Sequence, residues 1–165
     1  MDLVLADPAA SAALGAALAA TLPARAVVYL RGDLGAGKSC LARAMLQSLG
    51  VTGPIKSPTD TLVERYPVGG GEAVHMDLYR IANGSELEFL GLDAVADARL
   101  WLVEWPERGC NALPAADLEI ALAVAGSGRA ARIKAASPVG ARWLLDLSAK
   151  LNLQPTSEDV PRKSS

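Results

Sequence analysis

A glycine-rich segment in the first third of the chain has the spacing of a phosphate-binding loop. Residues 32–39 read GDLGAGKS, which matches the pattern G-x-x-x-x-G-K-[ST]. The glycines let the backbone curl so that consecutive N–H groups point at phosphate oxygens, Lys38 reaches the β- and γ-phosphates, and the Ser39 hydroxyl binds Mg²⁺. The alternative is a plain glycine turn before a helix. The predicted nucleotide-binding residues of this segment are Asp33, Leu34, Gly35, Ala36, Gly37, Lys38, Ser39 and Cys40.

Two candidate carboxylates follow at strand positions. Glu104 ends the apolar run 100–103, and a parallel strand beside the loop strand would bring its side chain to the edge where ligands bind. There it would hold Mg²⁺; the alternative is a solvated glutamate at a strand end. Asp77 lies inside another predicted strand, where an unpaired charge is costly. It could orient water or a Mg²⁺ ligand, or it could be the structural partner of Arg65 or Arg80.

Four further side chains are candidates near these groups. Thr59 lies in the loop KSPT, where it could sense the terminal phosphate as part of a switch, or simply cap a proline turn. Trp105 follows the strand-end glutamate and is a candidate wall of the site. His75 shares a strand face with the aspartate, and we expect a packed or hydrogen-bonded side chain there. Cys40 could be reactive at a helix start, but we expect a small buried side chain.

The segments around the loop have the periodicity that the motif needs. Residues 26–30 form an apolar run typical of a strand, and Leu41, Met45 and Leu49 share one face of a helix that Gly50 ends. A helix N-terminus directly after the loop favours anion binding.

The remaining sequence predicts a mixed α/β domain. Asp7 is placed to cap a helix with Pro8 at its first position and Leu14, Leu18 and Leu22 on its core face. The other expected elements are strands 3–5, 61–66, 73–79, 117–124 and 129–135, a helix begun by Asn83 and a last helix begun by Ser137. The predicted fold class is α/β: a small P-loop NTPase fold whose mixed, mostly parallel sheet is flanked by helices. We expect one domain over residues 1–153 and a disordered tail over 154–165.

Composition narrows the function classes. The chain has 165 residues, 51% of them hydrophobic and 21% charged, with a formal net charge of −2. A free-standing nucleic-acid binder would have a strong basic excess, so other subunits would have to supply positive surface for RNA. Cys40 and Cys110 form neither a disulfide framework nor a metal-site spacing, which favours a reducing cytoplasm. We expect no signal peptide and no membrane span.

Four segments together resemble a known family. They are residues 32–39, the SPT of residues 57–59, the HMDLYR of residues 75–80 and the VEWPER of residues 103–108. Their order and spacing are similar to the bacterial ATPase subunit of tRNA threonylcarbamoyladenosine biosynthesis, over residues 8–135. One departure is Asp60, where the family usually has an aromatic residue; its carboxylate could repel phosphate or alter the partner surface.

The resemblance implies weak intrinsic hydrolysis of ATP with Mg²⁺ and assembly with two other subunits. These are a threonylcarbamoyl transferase and its inactive paralogue, of the TsaD and TsaB types, through which tRNA is reached indirectly. By the same resemblance, Lys38 binds the phosphates, Ser39 and Glu104 bind Mg²⁺, Thr59 lies in the switch loop, Asp77 assists hydrolysis and Trp105 lies close to the nucleotide.

Two other function classes stay open on the sequence. A small-molecule kinase would fit the length and the loop, although no lid segment with closely spaced arginines follows. A non-catalytic module could bind nucleotide only to hold a shape for assembly. No arginine finger is evident, with Arg80 and Arg108 as the candidate internal stabilisers, so slow basal turnover is expected.

Overall fold

A single mixed sheet of seven strands organises the computed structural model, which describes residues 1–153. The strands are β1 (Asp2–Leu5), β2 (Ala26–Arg31), β3 (Val63–Val68), β4 (Gly71–Asp77), β5 (Leu100–Glu104), β6 (Leu118–Ala125) and β7 (Gly128–Ala135). The α-helices within those residues are α1 (Pro8–Ala20), α2 (Lys38–Ser48) and α3 (Pro138–Lys150). The predicted disordered tail, 154–165, lies outside the described residues.

The sheet has a parallel centre and antiparallel flanks. Its strand order is β1-β7-β6-β2-β5-β4-β3. The three central pairings, β6 with β2, β2 with β5 and β5 with β4, are parallel, whereas the pairings of β1 with β7, β7 with β6 and β4 with β3 are antiparallel. This arrangement confirms the predicted α/β class, and it brings the carboxyl ends of β2, β5 and β4 to one edge.

The two faces of the sheet are covered differently. On one face the three α-helices bury a large core, in which Leu18, Met45 and Trp143 are fully buried. On the other face short 3₁₀ segments cover the centre of the sheet and bury Leu87 and Val103. Within residues 1–153, no helix combines the length and the apolar character needed to cross a bilayer.

Several element boundaries differ from the sequence-based expectation. The segment after Asn83 forms two 3₁₀ helices, Gly84–Leu90 and Leu92–Val95, because Gly91 adopts a left-handed conformation with φ of 67° between them. The hairpin strand expected from residue 61 begins two residues later, since Leu62 also has a positive φ, 66°.

Helix α3 is docked by one polar junction. The Ser137 hydroxyl caps the helix by accepting from the Gly140 N–H at 2.9 Å and donates to Asp117 Oδ1 at 2.6 Å. The other oxygen of Asp117 accepts from the Val27 N–H at 2.8 Å. A Cβ on Gly140 would lie 1.8 Å from the Asp117 carbonyl oxygen, so the absence of a side chain at Gly140 is what permits this close contact.

We predict that Gly140→Ala lowers the free energy of unfolding by about 1–3 kcal/mol, because the added methyl forces α3 away from the sheet. Gly69→Ala is the matched control: Gly69 is exposed, its φ is not positive and nothing lies within 4 Å of its would-be Cβ. The control should change stability by less than about 0.5 kcal/mol. Urea denaturation measures both values, and equal midpoints for the two variants would contradict the close docking.

Candidate functional site

The loop between β2 and α2 has the backbone of a phosphate cradle. Gly32, Gly35 and Gly37 all have positive φ, at 142°, 80° and 106°. A Cβ on Gly32 would lie 2.4 Å from the Leu122 carbonyl oxygen, so only glycine fits there. Helix α2 begins directly after Gly37, and no side chain of the described residues caps its first turn. Its first N–H groups are therefore free for an anion, with the helix dipole adding favourable potential.

Lys38 is held over this loop with no acidic partner. Its side chain is only 5% exposed. The ammonium donates to the carbonyls of Gly32 and of Asp33, the latter at 2.9 Å, and lies 4.6 Å from the centroid of the Trp105 ring. Because no carboxylate pairs with it among residues 1–153, its positive charge is available to an anionic ligand.

Glu104 is a buried ligand candidate rather than a solvated strand end. It closes β5 in register with Leu30 on one side and Asp77 on the other, and it is 3% exposed. Both carboxylate oxygens lie 3.0 Å from the Ser39 hydroxyl. The two residues predicted to hold Mg²⁺ therefore meet across the cleft between α2 and β5.

His75 supports Glu104 from the neighbouring strand. Its Nε2 lies 2.6 Å from Glu104 Oε2, and both side chains are buried. Within residues 1–153 the Nδ1 atom is buried and has no hydrogen-bond partner. A proton on Nε2 would donate to Glu104, and Nδ1 is then the ring atom left without a partner. The expected hydrogen-bonded histidine is confirmed, but sequence reasoning missed that its partner is the candidate metal ligand.

Asp77 faces the loop of residues 57–60. Its carboxylate is 6% exposed and accepts from the Thr59 hydroxyl at 3.2 Å and from the Tyr79 N–H at 3.0 Å. The Thr59 hydroxyl also lies 2.8 Å from the Ser57 hydroxyl. Asp77 and Thr59, predicted separately, thus form one hydrogen-bonded pair at the edge of the site.

The expected alternative partners of Asp77 are engaged elsewhere, so that alternative is wrong. Arg65 bonds Glu72 across the β3–β4 hairpin at 2.6 Å, and this hydrogen bond holds the pKa of Glu72 below its ordinary value. Arg80 pairs with the exposed Asp60 at 3.0 Å. The Asp60 carboxylate therefore has a cation of its own at the surface.

Trp105 forms the wall of the site opposite the loop. It has a left-handed backbone, φ 56°, directly after Glu104. The centroid of the Trp105 ring lies 5.1 Å from the centroid of the Tyr79 ring. The same Trp105 centroid lies 5.7 Å from the guanidinium carbon of Arg108. The indole is thus flanked by two cations, Lys38 and Arg108, as cation–π geometry allows.

Cys40 differs from the expectation of a small buried side chain. It is exposed, because the positions after it, Leu41 and Ala42, are the ones that α2 turns into the core. The cysteine instead stands at the rim of the candidate site.

The predicted site residues come together in one cavity of about 270 Å³. All of them line it except Asp33 and Ala36: Asp33 contributes its carbonyl to Lys38, and Ala36 is 1% exposed. The cavity also includes Arg129, which sequence reasoning missed. Arg129 follows a glycine turn at the start of β7, and no motif marks it, because only the pairing of β7 with β6 and β1 carries it to the loop.

The donor set at this cavity suits Mg²⁺ together with phosphate. Among the described residues, no three His, Cys, Asp or Glu side chains gather as a metal cage. Mg²⁺ is held by one or two carboxylates plus substrate phosphates and waters rather than by such a cage. Ser39, Glu104 and Asp77 provide a donor set of that small size.

The fold and the site define a small α/β protein of P-loop-like architecture. The family model described as "Threonylcarbamoyl adenosine biosynthesis protein TsaE" matches residues 5–132. The chain belongs to this family.

Relatives in sequence and structure agree with this assignment. The chain is similar to the "tRNA threonylcarbamoyladenosine biosynthesis protein TsaE" of Haemophilus influenzae, 52% identical over 93 residues, or 56% of this chain and 59% of that protein. The protein of the same name from Streptomyces coelicolor is 36% identical over 135 residues, 79% of this chain and 91% of its own. The crystal structure of Bacillus subtilis YdiB superposes with a TM-score of 0.76 at 26% identity, covering 90% of this chain and 94% of that one.

We predict that His75 and Glu104 are energetically coupled. His75→Leu leaves a buried carboxylate with one donor fewer and should lower the free energy of unfolding by about 1–3 kcal/mol. The double variant His75→Leu/Glu104→Leu removes both polar groups, so its loss should be smaller than the sum of the two single losses by about 1–3 kcal/mol. Urea denaturation of the four proteins measures the coupling, and additive losses would show that the contact contributes nothing.

Proposed function

We propose that the protein is a Mg²⁺-dependent ATPase that serves tRNA threonylcarbamoyladenosine biosynthesis. One observation supports the catalytic part: both oxygens of the buried Glu104 carboxylate lie 3.0 Å from the Ser39 hydroxyl, next to a glycine loop whose Lys38 ammonium has no carboxylate partner among the described residues. Membership of the family, whose relatives are named for this biosynthesis, supports the process.

Phosphate binding would rest on the loop backbone and on Lys38. The free N–H groups at the start of α2 and the left-handed glycines offer donors to phosphate oxygens. Lys38 now donates to neutral carbonyls. A phosphate oxygen is a stronger acceptor for an ammonium than a carbonyl is, so the ligand would draw Lys38 into the cavity.

Ser39 and Glu104 would hold Mg²⁺. The ion would neutralise charge on the phosphates as the β–γ bond breaks. His75 would keep the Glu104 carboxylate in place through its 2.6 Å hydrogen bond, so that little reorganisation is needed on binding.

Asp77 is the residue best placed to orient the attacking water. It lies beside Glu104 at the end of the adjacent parallel strand and accepts from Thr59. The water oxygen would bond to the γ-phosphorus while the bond to the bridging oxygen breaks, giving ADP and inorganic phosphate. Thr59 links this carboxylate to the loop of residues 57–60, which would act as the switch.

Turnover of the isolated protein should be slow. Neither arginine considered from the sequence is free for a terminal phosphate, since Arg80 pairs with Asp60 and Arg108 lies over Tyr79 and Trp105. Assembly with a threonylcarbamoyl transferase subunit and its inactive paralogue, of the TsaD and TsaB types, would complete the site. Those cytoplasmic partners would reach the tRNA, in keeping with a net charge of −2 on this chain.

Lys38→Ala should weaken binding of Mg²⁺–ATP by about 100-fold, because a charge-assisted contact to the phosphates is lost. Lys134→Ala removes the same charge from an exposed position on β7 and serves as the control. Isothermal titration calorimetry measures both. Absence of any adenine nucleotide uptake by the wild-type protein, alone or with its two partners, would overturn the proposal.

Glu104→Gln should keep ATP binding in the presence of EDTA but reduce Mg²⁺-dependent hydrolysis by at least about 100-fold, since the metal loses its charged ligand. Wild-type hydrolysis should rise when both partner subunits are added, and phosphate release together with tRNA modification measures the effect. An isolated protein that already turns over as fast as the mixture contradicts the role of assembly. If Glu104→Gln supports full modification without hydrolysis, the protein is instead a non-catalytic assembly module.

A further inference from the structure

A phenylalanine projects into solvent from the 3₁₀ helix Gly84–Leu90, on the face of the sheet that has no α-helix. Phe89 is 89% exposed, which is the highest exposure among the large apolar side chains of the described residues. It is also the only phenylalanine in the chain. Aromatic side chains are enriched in the cores of protein–protein interfaces, where they fill pockets of the partner. Phe89 is therefore a candidate anchor for a docking partner.

The backbone that carries Phe89 is held in place on both sides. Leu87 and Val95 are buried in the apolar cluster on this face of the sheet. Before them, a carboxylate oxygen of Glu86 accepts from the Ala82 N–H at 3.1 Å. Because the flanking side chains point inward, the ring points outward on a preformed surface. A partner would therefore bind it with little cost for ordering the chain.

The surroundings of the exposed ring are acidic. Residues 81–98 contain four carboxylates and no lysine or arginine. Glu88 and Asp93 are exposed, and neither side chain pairs with a cation within residues 1–153. Glu88, Phe89 and Asp93 together are named the Phe89 surface.

The combination of ring and charges selects the chemistry of a partner. An exposed aromatic ring beside unpaired carboxylates complements an apolar pocket that is bordered by lysine or arginine side chains. A nucleic acid is disfavoured, because the carboxylates repel its phosphates. A second copy of this chain is disfavoured as well, because a symmetric contact at the Phe89 surface would bring like charges together.

The same segment leads away from the wall of the candidate site. The Tyr79 ring lies 5.1 Å from the Trp105 ring, and two residues later the carbonyl of Ile81 accepts from the Arg108 guanidinium at 3.4 Å. That guanidinium lies over Trp105. A partner held at the Phe89 surface would thus bind the segment that the chain enters directly from the site.

We propose that the Phe89 surface is a docking site for a protein partner that receives Phe89 in an apolar pocket bordered by lysine or arginine. The inference rests on the proposed function, which supplies the two candidate partner subunits, and adds which part of this chain one of them binds. The ring provides affinity, and the two carboxylates provide orientation and a faster encounter. Phe89 itself takes no part in the chemistry at the phosphate loop.

Phe89→Ser should weaken association with the two purified partner subunits by about 10- to 100-fold, because the burial of a phenyl ring is lost. Biolayer interferometry on the immobilised subunits measures the dissociation constant. Nucleotide affinity and basal hydrolysis of the isolated variant should equal those of the wild type, since Phe89 does not line the phosphate-loop cavity. Thermal unfolding of the variant separates a lost contact from a lost fold.

Val4→Ser is the matched control for the apolar contact. Val4 is 81% exposed on β1, the strand of the sheet farthest from β4, against which the segment of Phe89 packs. Its replacement should leave the affinity for the partner subunits unchanged.

The carboxylates are tested by the double variant Glu88→Gln/Asp93→Asn. Its association rate constant at low ionic strength should fall by about 3- to 10-fold, and the dependence of that rate on salt should become weaker. Asp146→Asn is the control, because Asp146 is an exposed carboxylate on α3, which packs on the other face of the sheet. The control should keep the wild-type rate and salt dependence.

Unchanged partner affinity in a folded Phe89→Ser protein overturns the inference. If the substitution instead abolishes self-association in analytical ultracentrifugation, or binding of tRNA, while partner affinity is unchanged, the surface serves a second copy or RNA and the inference is equally overturned. A wild-type protein that binds neither subunit overturns the proposed assembly and this inference together. That result is distinguishable, because it appears before any substitution is made.

Discussion

Parallel pairing of β2, β5 and β4 holds the candidate site together, because its register places Leu30, Glu104 and Asp77 side by side at one edge of the sheet. The register is enforced by the strands' apolar residues, such as Val28 and Leu102, which are fully buried. A shift of one residue would move both carboxylates to the opposite face and expose apolar side chains to water. The same hydrophobic burial that forms the sheet therefore also sets the distances within the site.

The site contains buried polar and charged side chains of kinds that proteins usually keep at the surface. The buried polar side chains of the described residues are Lys38, His75, Asp77, Glu104 and Ser148, and the first four all belong to the site. Burial of a charge without compensation is costly, and here hydrogen bonds with the glycine loop, with Thr59 and with a neighbouring strand provide the compensation. The left-handed backbone at Trp105 adds local strain at the same edge. Preorganisation for the proposed nucleotide would account for such costs.

The loop of residues 57–60 makes two side-chain contacts that differ in their exposure to solvent. Inside, the Thr59 hydroxyl bonds the buried Asp77 carboxylate. Outside, Asp60 pairs with Arg80, and both side chains are largely exposed, so that solvent screens the pair and it contributes little stability. The partly buried contact with Asp77 is therefore the stronger of the two, while the exposed pair gives the Asp60 carboxylate a cationic partner.

The sequence by itself determined the local features: the glycine loop, the strand and helix around it, the caps at Asp7 and Ser137, and a glutamate at a strand end. These depend on residues a few positions apart, whose spacing a helix or strand repeats. Only the tertiary structure decided that His75 supports Glu104, that Asp77 takes Thr59 rather than an arginine, and that Cys40 is exposed. The tertiary structure also places the Arg129 side chain next to Gly37 of the loop. Such contacts join segments far apart in the chain, and their partners depend on the order of strands in the sheet, which local spacing does not encode.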